Sequence, residues 1–176
     1  SGGGPVIYSS TERGLYDGYR AATINDLACD PPPNRPGDAI RMGVRFDTPC
    51  RLIRGAALTD RPDFHVLFRS LLRRLSSLAY FHCGSELNLD FRALVATAEQ
   101  VHLVRNDTRW LDWERYSARQ DVRMNLGGIV GEVEYEGNLT SLLPLLRLGE
   151  VLHVGKGTGF GLGRYTITPA VVEGGG

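Results

Sequence analysis

The chain has 176 residues, 42% of them hydrophobic, which is enough for one ordinary domain with a self-sufficient core. Its twenty Lys and Arg balance twenty Asp and Glu, which excludes the overall basicity of many nucleic-acid binders and requires any phosphate-binding surface to be local. Cys29, Cys50 and Cys83 are odd in number and form no C-x-x-C pair, which argues against a disulfide framework or a zinc site. No apolar run approaches the ~18 residues of a membrane span, and the expectation is a soluble, cytoplasmic protein.

Residues 1 to 39 contain Gly2 to Gly4, Pro5 and the cluster Pro31-Pro32-Pro33-Asn34-Arg35-Pro36-Gly37, an irregular lead-in or the remnant of a preceding domain. From Ile40 strict alternation begins. Ile40, Met42, Val44 and Phe46 fall on one face and Arg41, Gly43 and Arg45 on the other, predicting a half-buried strand ended by Pro49. Thr59-Asp60-Arg61-Pro62 reads as a cap with proline in the first turn of a helix. Phe64, Leu67, Phe68, Leu71, Leu72, Leu75, Leu78 and Ala79 supply its apolar stripe, and Gly84 stops it. Arg69, Arg73 and Arg74 lie off that stripe, as a solvated face or a phosphate-facing one.

A shorter amphipathic segment, Asp90 to Gln100, leads into Val101-His102-Leu103-Val104, a helix and a strand edge. Read as a strand, Arg109 to Arg119 places Arg109, Leu111, Trp113, Arg115, Ser117 and Arg119 on one face, interleaving cations with an aromatic ring as a single-stranded RNA surface requires. The alternative buries Leu111 and Trp113 in the core. Leu126 to Tyr135 alternates again and predicts the second strand of a hairpin closed around Asp121 to Asn125, with Gly137-Asn138 ending it. Leu142 to Leu152 fits a helix that tolerates Pro144 only if it begins near Thr140 or Ser141. Tyr165, Thr166 and Ile167 form a final strand, and residues 169–176 a mobile tail. The order is that of an α+β, ferredoxin-like (βαββαβ) antiparallel sheet over residues 40–168, with helices on one face and a short inserted helix. Such a topology does not by itself identify a substrate.

Of the twenty basic residues nineteen are arginine, and the single lysine, Lys156, sits inside Gly155-Lys156-Gly157-Thr158-Gly159-Phe160-Gly161-Leu162-Gly163-Arg164-Tyr165. Closely spaced glycines let backbone N–H groups approach an anion, and a lysine among them adds a mobile charge. The segment is no Walker loop, because Gly149 stands one residue too far back and Gly157 follows Lys156. It is no dinucleotide site either: no register gives G-x-G-x-x-G, and it follows a helix and precedes a strand. What remains is G-x-G, three residues, then G-x-G running into the last strand, or else a tight turn that needs glycine only for its dihedrals.

This pattern resembles the glycine-rich loop placed late in the CRISPR-associated RAMP proteins. Trp113-Glu114-Arg115-Tyr116-Ser117-Ala118-Arg119-Gln120, the Gly127-Gly128 pair with Gly131, and Leu145 to Val154 are similar to the C-terminal region of the precursor-crRNA-processing endoribonucleases of that superfamily, over residues 40 to 168. The resemblance implies antiviral defence and a metal-independent cut, in which the RNA's own 2′-hydroxyl attacks the adjacent phosphate. That chemistry needs a general base, a general acid and a cation for the phosphorane. It also implies CRISPR repeat RNA as partner, other CRISPR-associated proteins as further partners, and no cofactor or metal. In the family the catalytic residues usually belong to a first ferredoxin-like domain, so a preceding domain of the same protein is expected, with Ser1 to Gly4 read as added sequence.

The RNA contacts expected on this basis are Gly155, Lys156, Gly157, Gly159, Gly161, Gly163 and Arg164 from the loop, with Arg115 and Arg119. His153, two residues from Gly155, is the catalytic candidate, since its imidazole can exchange a proton near neutral pH; its alternative is to cap the helix before it. His65, His82 and His102 receive no role. Two other functions stay open: a non-enzymatic RAMP subunit that holds guide RNA in an interference complex, and a ferredoxin-like protein-interaction module.

Overall fold

The computed structural model describes residues 39–117 and 122–169, together with two short paired strands, β1 (Tyr8–Ser9) and β2 (Gly14–Leu15). The domain begins with β3 (Ile40–Cys50), followed by a small hairpin of β4 (Leu52–Arg54) and β5 (Ala57–Thr59). Then come α1 (Phe64–Cys83), α2 (Phe91–Glu99) and β6 (His102–Leu111). A second hairpin, β7 (Glu114–Ser117) and β8 (Val122–Asn125), precedes β9 (Gly128–Gly137), α3 (Leu143–Leu152) and β10 (Tyr165–Pro169). The main sheet has the order β10-β3-β9-β6 and is antiparallel throughout. With the small hairpins β4–β5 and β7–β8 set aside, the domain has the βαββαβ order expected, with α2 as the inserted helix.

The sheet sorts its residues by face. Met42, Val44 and Phe46 of β3 and Val133 and Tyr135 of β9 are buried in one core with Phe64, Leu67, Phe68 and Leu71 of α1 and Leu146 of α3. The register sets Met42 opposite Tyr135 and Val44 opposite Val133, while the alternate positions set Arg41 opposite Glu136 and Arg45 opposite Glu132. Opposite charges facing each other across strands stabilise that register. The far face is therefore ionic: Arg41 pairs with Glu136, Arg45 with Asp47, and Arg105 with both Asp107 and Glu134.

Tyr135 shows how the core accommodates a polar atom. Its ring meets Phe64 edge-on, with centroids 5.0 Å apart, and its hydroxyl donates to the Pro62 carbonyl at 2.6 Å. Burial pushes the phenol well above its ordinary pKa, so it remains a donor. Tyr135→Phe is expected to cost about 1–3 kcal/mol, because the Pro62 carbonyl loses its partner in the interior; urea unfolding followed by circular dichroism measures it, and an unchanged midpoint would contradict the assignment.

Several boundaries differ from the sequence expectation. Pro49 does not end β3: it sits in an irregularity between Phe46 and Cys50, where a missing N–H costs no ladder bond, and pairing resumes at Cys50 opposite Ile129. Helix α1 starts after Asp63 rather than at Pro62, and Asp63 caps nothing with its side chain because its carboxylate holds Arg54 and Arg61. Gly84 does stop α1, at φ 64°. Arg109 to Arg119 is not one strand. Arg109 and Leu111 belong to β6, the strand breaks at Asp112 and Trp113, and Arg115 lies in the separate β7–β8 hairpin. Trp113 is 43% exposed, so it is not a core residue. Among the described residues no helix is long and apolar enough to cross a membrane.

Candidate nucleic-acid interface

Between α3 and β10 the glycine-rich segment folds back on itself around a single 3-10 turn, Thr158–Phe160. Its base is closed by Val154, whose N–H donates to the Gly163 carbonyl at 2.9 Å. The irregular end of β3 then straps it down. Gly163 N–H donates to the Pro49 carbonyl at 3.0 Å, Lys156 N–H to the Arg51 carbonyl at 2.9 Å, and Thr48 Oγ1 to the Gly161 carbonyl at 2.9 Å. Part of the loop's donor capacity is thus committed to the fold rather than to an anion.

The glycines divide accordingly. Gly155, Gly157, Gly161 and Gly163 have positive φ, and at Gly163 a Cβ would stand 1.8 Å from the Val154 carbonyl oxygen. Gly159 has neither a left-handed backbone nor any atom within 4 Å of where a Cβ would be. Turn geometry accounts for the first four and leaves Gly159 unexplained by the chain itself.

His153 serves the loop as a strut. It is the C-cap of α3 at φ 62°, its N–H donates to the Gly149 carbonyl, and its Nδ1 lies 3.2 Å from the Leu162 carbonyl. A carbonyl can only accept, so Nδ1 carries the proton and Nε2 is left as the free ring nitrogen.

Lys156 and Gly155 meet residues far away in sequence. They line a recess of about 310 Å³ with Arg51, Arg73, Arg74 and Ser70. Arg74 is oriented by its Nε, which donates to the Leu152 carbonyl at the C-terminus of α3 at 2.6 Å. Arg51 reaches the Asn125 carbonyl through Nη1. Elsewhere Arg54 and Arg61 are paired with Asp63, Arg69 with Glu99, Arg147 with Glu150 and Arg164 with Asp47, whereas Arg92 and Arg109 stand singly on the surface among the described residues. Among the described residues Arg51, Arg73, Arg74 and Lys156 have no carboxylate partner, and all four line this recess. A chain with no net charge thereby gathers four cations without a described carboxylate partner around one recess.

The other expected contacts fall elsewhere. Arg164 lies 4.0 Å from Asp47, whose carboxyl is held below its ordinary pKa because, against the opposing effect of burial, Thr166, Arg45 and Arg164 stabilise the anion. The Arg115 side chain and Arg119 lie outside the described residues, and His153 does not line the recess. Arg73 and Arg74, on what could have been only a solvated face, do line it; Arg51, which sequence reasoning missed, joins them just past β3, where its carbonyl accepts from Lys156 N–H. No group of three or more His, Cys, Asp or Glu among the described residues could hold a metal ion.

The family model of the CRISPR-associated endoribonuclease Cas6 matches residues 44–165. The chain belongs to the Cas6 family. Solved Cas6 structures share its fold. A Cas6 product complex is 22% identical with a TM-score of 0.58, covering 84% of this chain and 56% of that one. A Cas6 from Thermus thermophilus is 20% identical with a TM-score of 0.58, covering 76% and 55%. A Cas6-RT-Cas1–Cas2 complex is 16% identical with a TM-score of 0.55, covering 76% and 14%. The chain thus spans little more than half the length of the Cas6 structures it matches. No curated protein matches it in sequence.

Proposed function

We propose that this chain is the RNA-binding, C-terminal ferredoxin-like domain of a Cas6-type endoribonuclease that processes precursor crRNA. The observation that carries the proposal is the convergence of Arg51, Arg73, Arg74 and Lys156, unpaired with any described carboxylate, beside the glycine-rich loop. Such a recess suits the phosphodiester backbone, which supplies the anion this surface lacks. Gly159, which neither backbone geometry nor packing requires to be glycine, is the point of closest approach in this reading. Arg164, Arg115 and Arg119 are assigned supporting contacts.

The reaction in this proposal is attack of the RNA's 2′-hydroxyl on the adjacent phosphate without a metal. The recess holds the backbone and stabilises charge on the phosphate, and His153 holds the loop rather than a proton in flight. General acid and base come from a companion domain of the same protein.

The test is a titration of a labelled CRISPR-repeat RNA in EDTA with the chain and with Lys156→Ala, scoring binding and cleavage together. Binding that Lys156→Ala weakens, without cleavage, is the expected result. Cleavage by this chain would move the acid and base into these residues and make His153 the first substitution to examine. Absence of binding by both this chain and the full-length protein would overturn the proposal.

A further inference from the structure

A second, larger groove of about 780 Å³ opens between α1, α2 and the β4–β5 hairpin, and it shares Ile53, Arg73 and Ser77 with the basic recess. Its volume lies within the about 300–1,000 Å³ of sites that enclose small ligands. The two cavities differ in chemistry. The recess is cationic, whereas the groove is walled by Ile53, Val66, Leu72, Phe91 and Val95. The cations Arg54 and Arg69 at its rim are already held by Asp63 and Glu99. Phe91, the first residue of α2, keeps 37% of its surface exposed here. The hydroxyl groups of Ser76 and Ser77 donate to the Leu72 and Arg73 carbonyls, both at 2.9 Å, which commits their protons and leaves oxygen lone pairs that can accept.

We infer that this groove receives an unpaired nucleoside of the RNA whose adjoining phosphate lies in the basic recess, with Arg73 at the boundary reaching both. The inference rests on the RNA reading above and adds to it the kind of nucleotide bound. A polyanion with flat apolar bases matches a cationic site continuous with an apolar, aromatic one. A base-paired duplex does not, because its base faces are stacked within the helix and unavailable to Phe91. Phe91 provides the stacking surface, and the serine oxygens accept from the exocyclic amino groups or the ribose hydroxyl.

The experiment compares two labelled single-stranded oligoribonucleotides of equal length, one with bases and one with abasic residues throughout, on the full chain, Phe91→Ala, Phe91→Trp and Lys156→Ala. Phe91→Ala is expected to weaken binding of the base-bearing strand by about fivefold or more while leaving the abasic strand unchanged, and Phe91→Trp is expected to restore it. Lys156→Ala is expected to weaken both strands. Equal loss on both strands in Phe91→Ala, or no loss on the base-bearing one while Lys156→Ala still weakens both, overturns the nucleoside site and leaves the phosphate site standing. If neither variant changes either strand, the RNA reading falls with it.

Discussion

Gly163→Ala is expected to destabilise the domain by about 3 kcal/mol, a fall in Tm of roughly 10 °C. Two independent effects act at this position. The backbone sits at φ 73°, which an L side chain adopts at a cost, and the added Cβ would stand 1.8 Å from the Val154 carbonyl oxygen. That oxygen cannot retreat freely, because Val154 and Gly163 are themselves joined by the hydrogen bond that closes the loop, and Gly163 N–H is held by Pro49. Relief therefore requires the loop to come off β3. Gly159→Ala is the matched control: it meets no atom within 4 Å and needs no left-handed backbone, so its melting curve is expected to superimpose on that of the parent chain. If the RNA backbone approaches at Gly159, this same variant lowers affinity without lowering stability. Thermal melts and RNA titrations on both variants separate the loop's two jobs, and equal melting of Gly163→Ala and the parent would show that the loop is not strapped as described.

The second large effect concerns charge. Replacing Arg73 and Lys156 together by alanine is expected to weaken binding of single-stranded RNA by at least about tenfold at moderate salt. The slope of log affinity against log salt should become shallower by roughly 1.4, since each phosphate contact on a single strand contributes about 0.7. Both residues are exposed, and neither pairs with a described carboxylate. The pair of substitutions should leave stability within about 0.5 kcal/mol. The same exchange at Arg41 and Arg45, on the ionic far face of the sheet, removes two cations that already have carboxylate partners. It should alter the salt slope far less. Equal changes from the two double variants would mean that RNA is attracted by diffuse charge and not by the recess.

The sequence determined the elements because their signals are local. Alternation through Ile40 to Phe46, the apolar stripe of Phe64 to Ala79, Asp90 before α2 and Gly84 after α1 each depend on neighbours a few residues away, and each is realised. So is the element order, and with it the βαββαβ topology. The glycine-rich loop was visible for the same reason, as a short run with one lysine. Three boundaries were not legible. Pro49 looks like a strand end unless β3 is known to bulge there and resume pairing at Cys50, Thr59 to Pro62 looks like the helix cap unless β5 is known to run to Thr59 and α1 to start after Asp63, and Trp113 looks like core unless the strand is known to break.

The site was half legible for a related reason. Lys156 and Gly155 could be found in one short segment, but Arg51 sits just past β3, and Arg73 and Arg74 share a helix face that exposure alone does not distinguish from any solvated one. Which arginines are neutralised depends on carboxylates up to 117 positions away, as Arg164 and Asp47 illustrate. Charge pairing acts through space, over a few ångströms, and carries no signature in sequence spacing. The sequence by itself thus set the main elements, the fold class and the loop, though not the β7–β8 hairpin; only the tertiary structure decided which cations share one site, because packing brought Arg51, Arg73, Arg74 and Lys156 around one recess and gave Arg54, Arg61, Arg69, Arg147 and Arg164 to carboxylates.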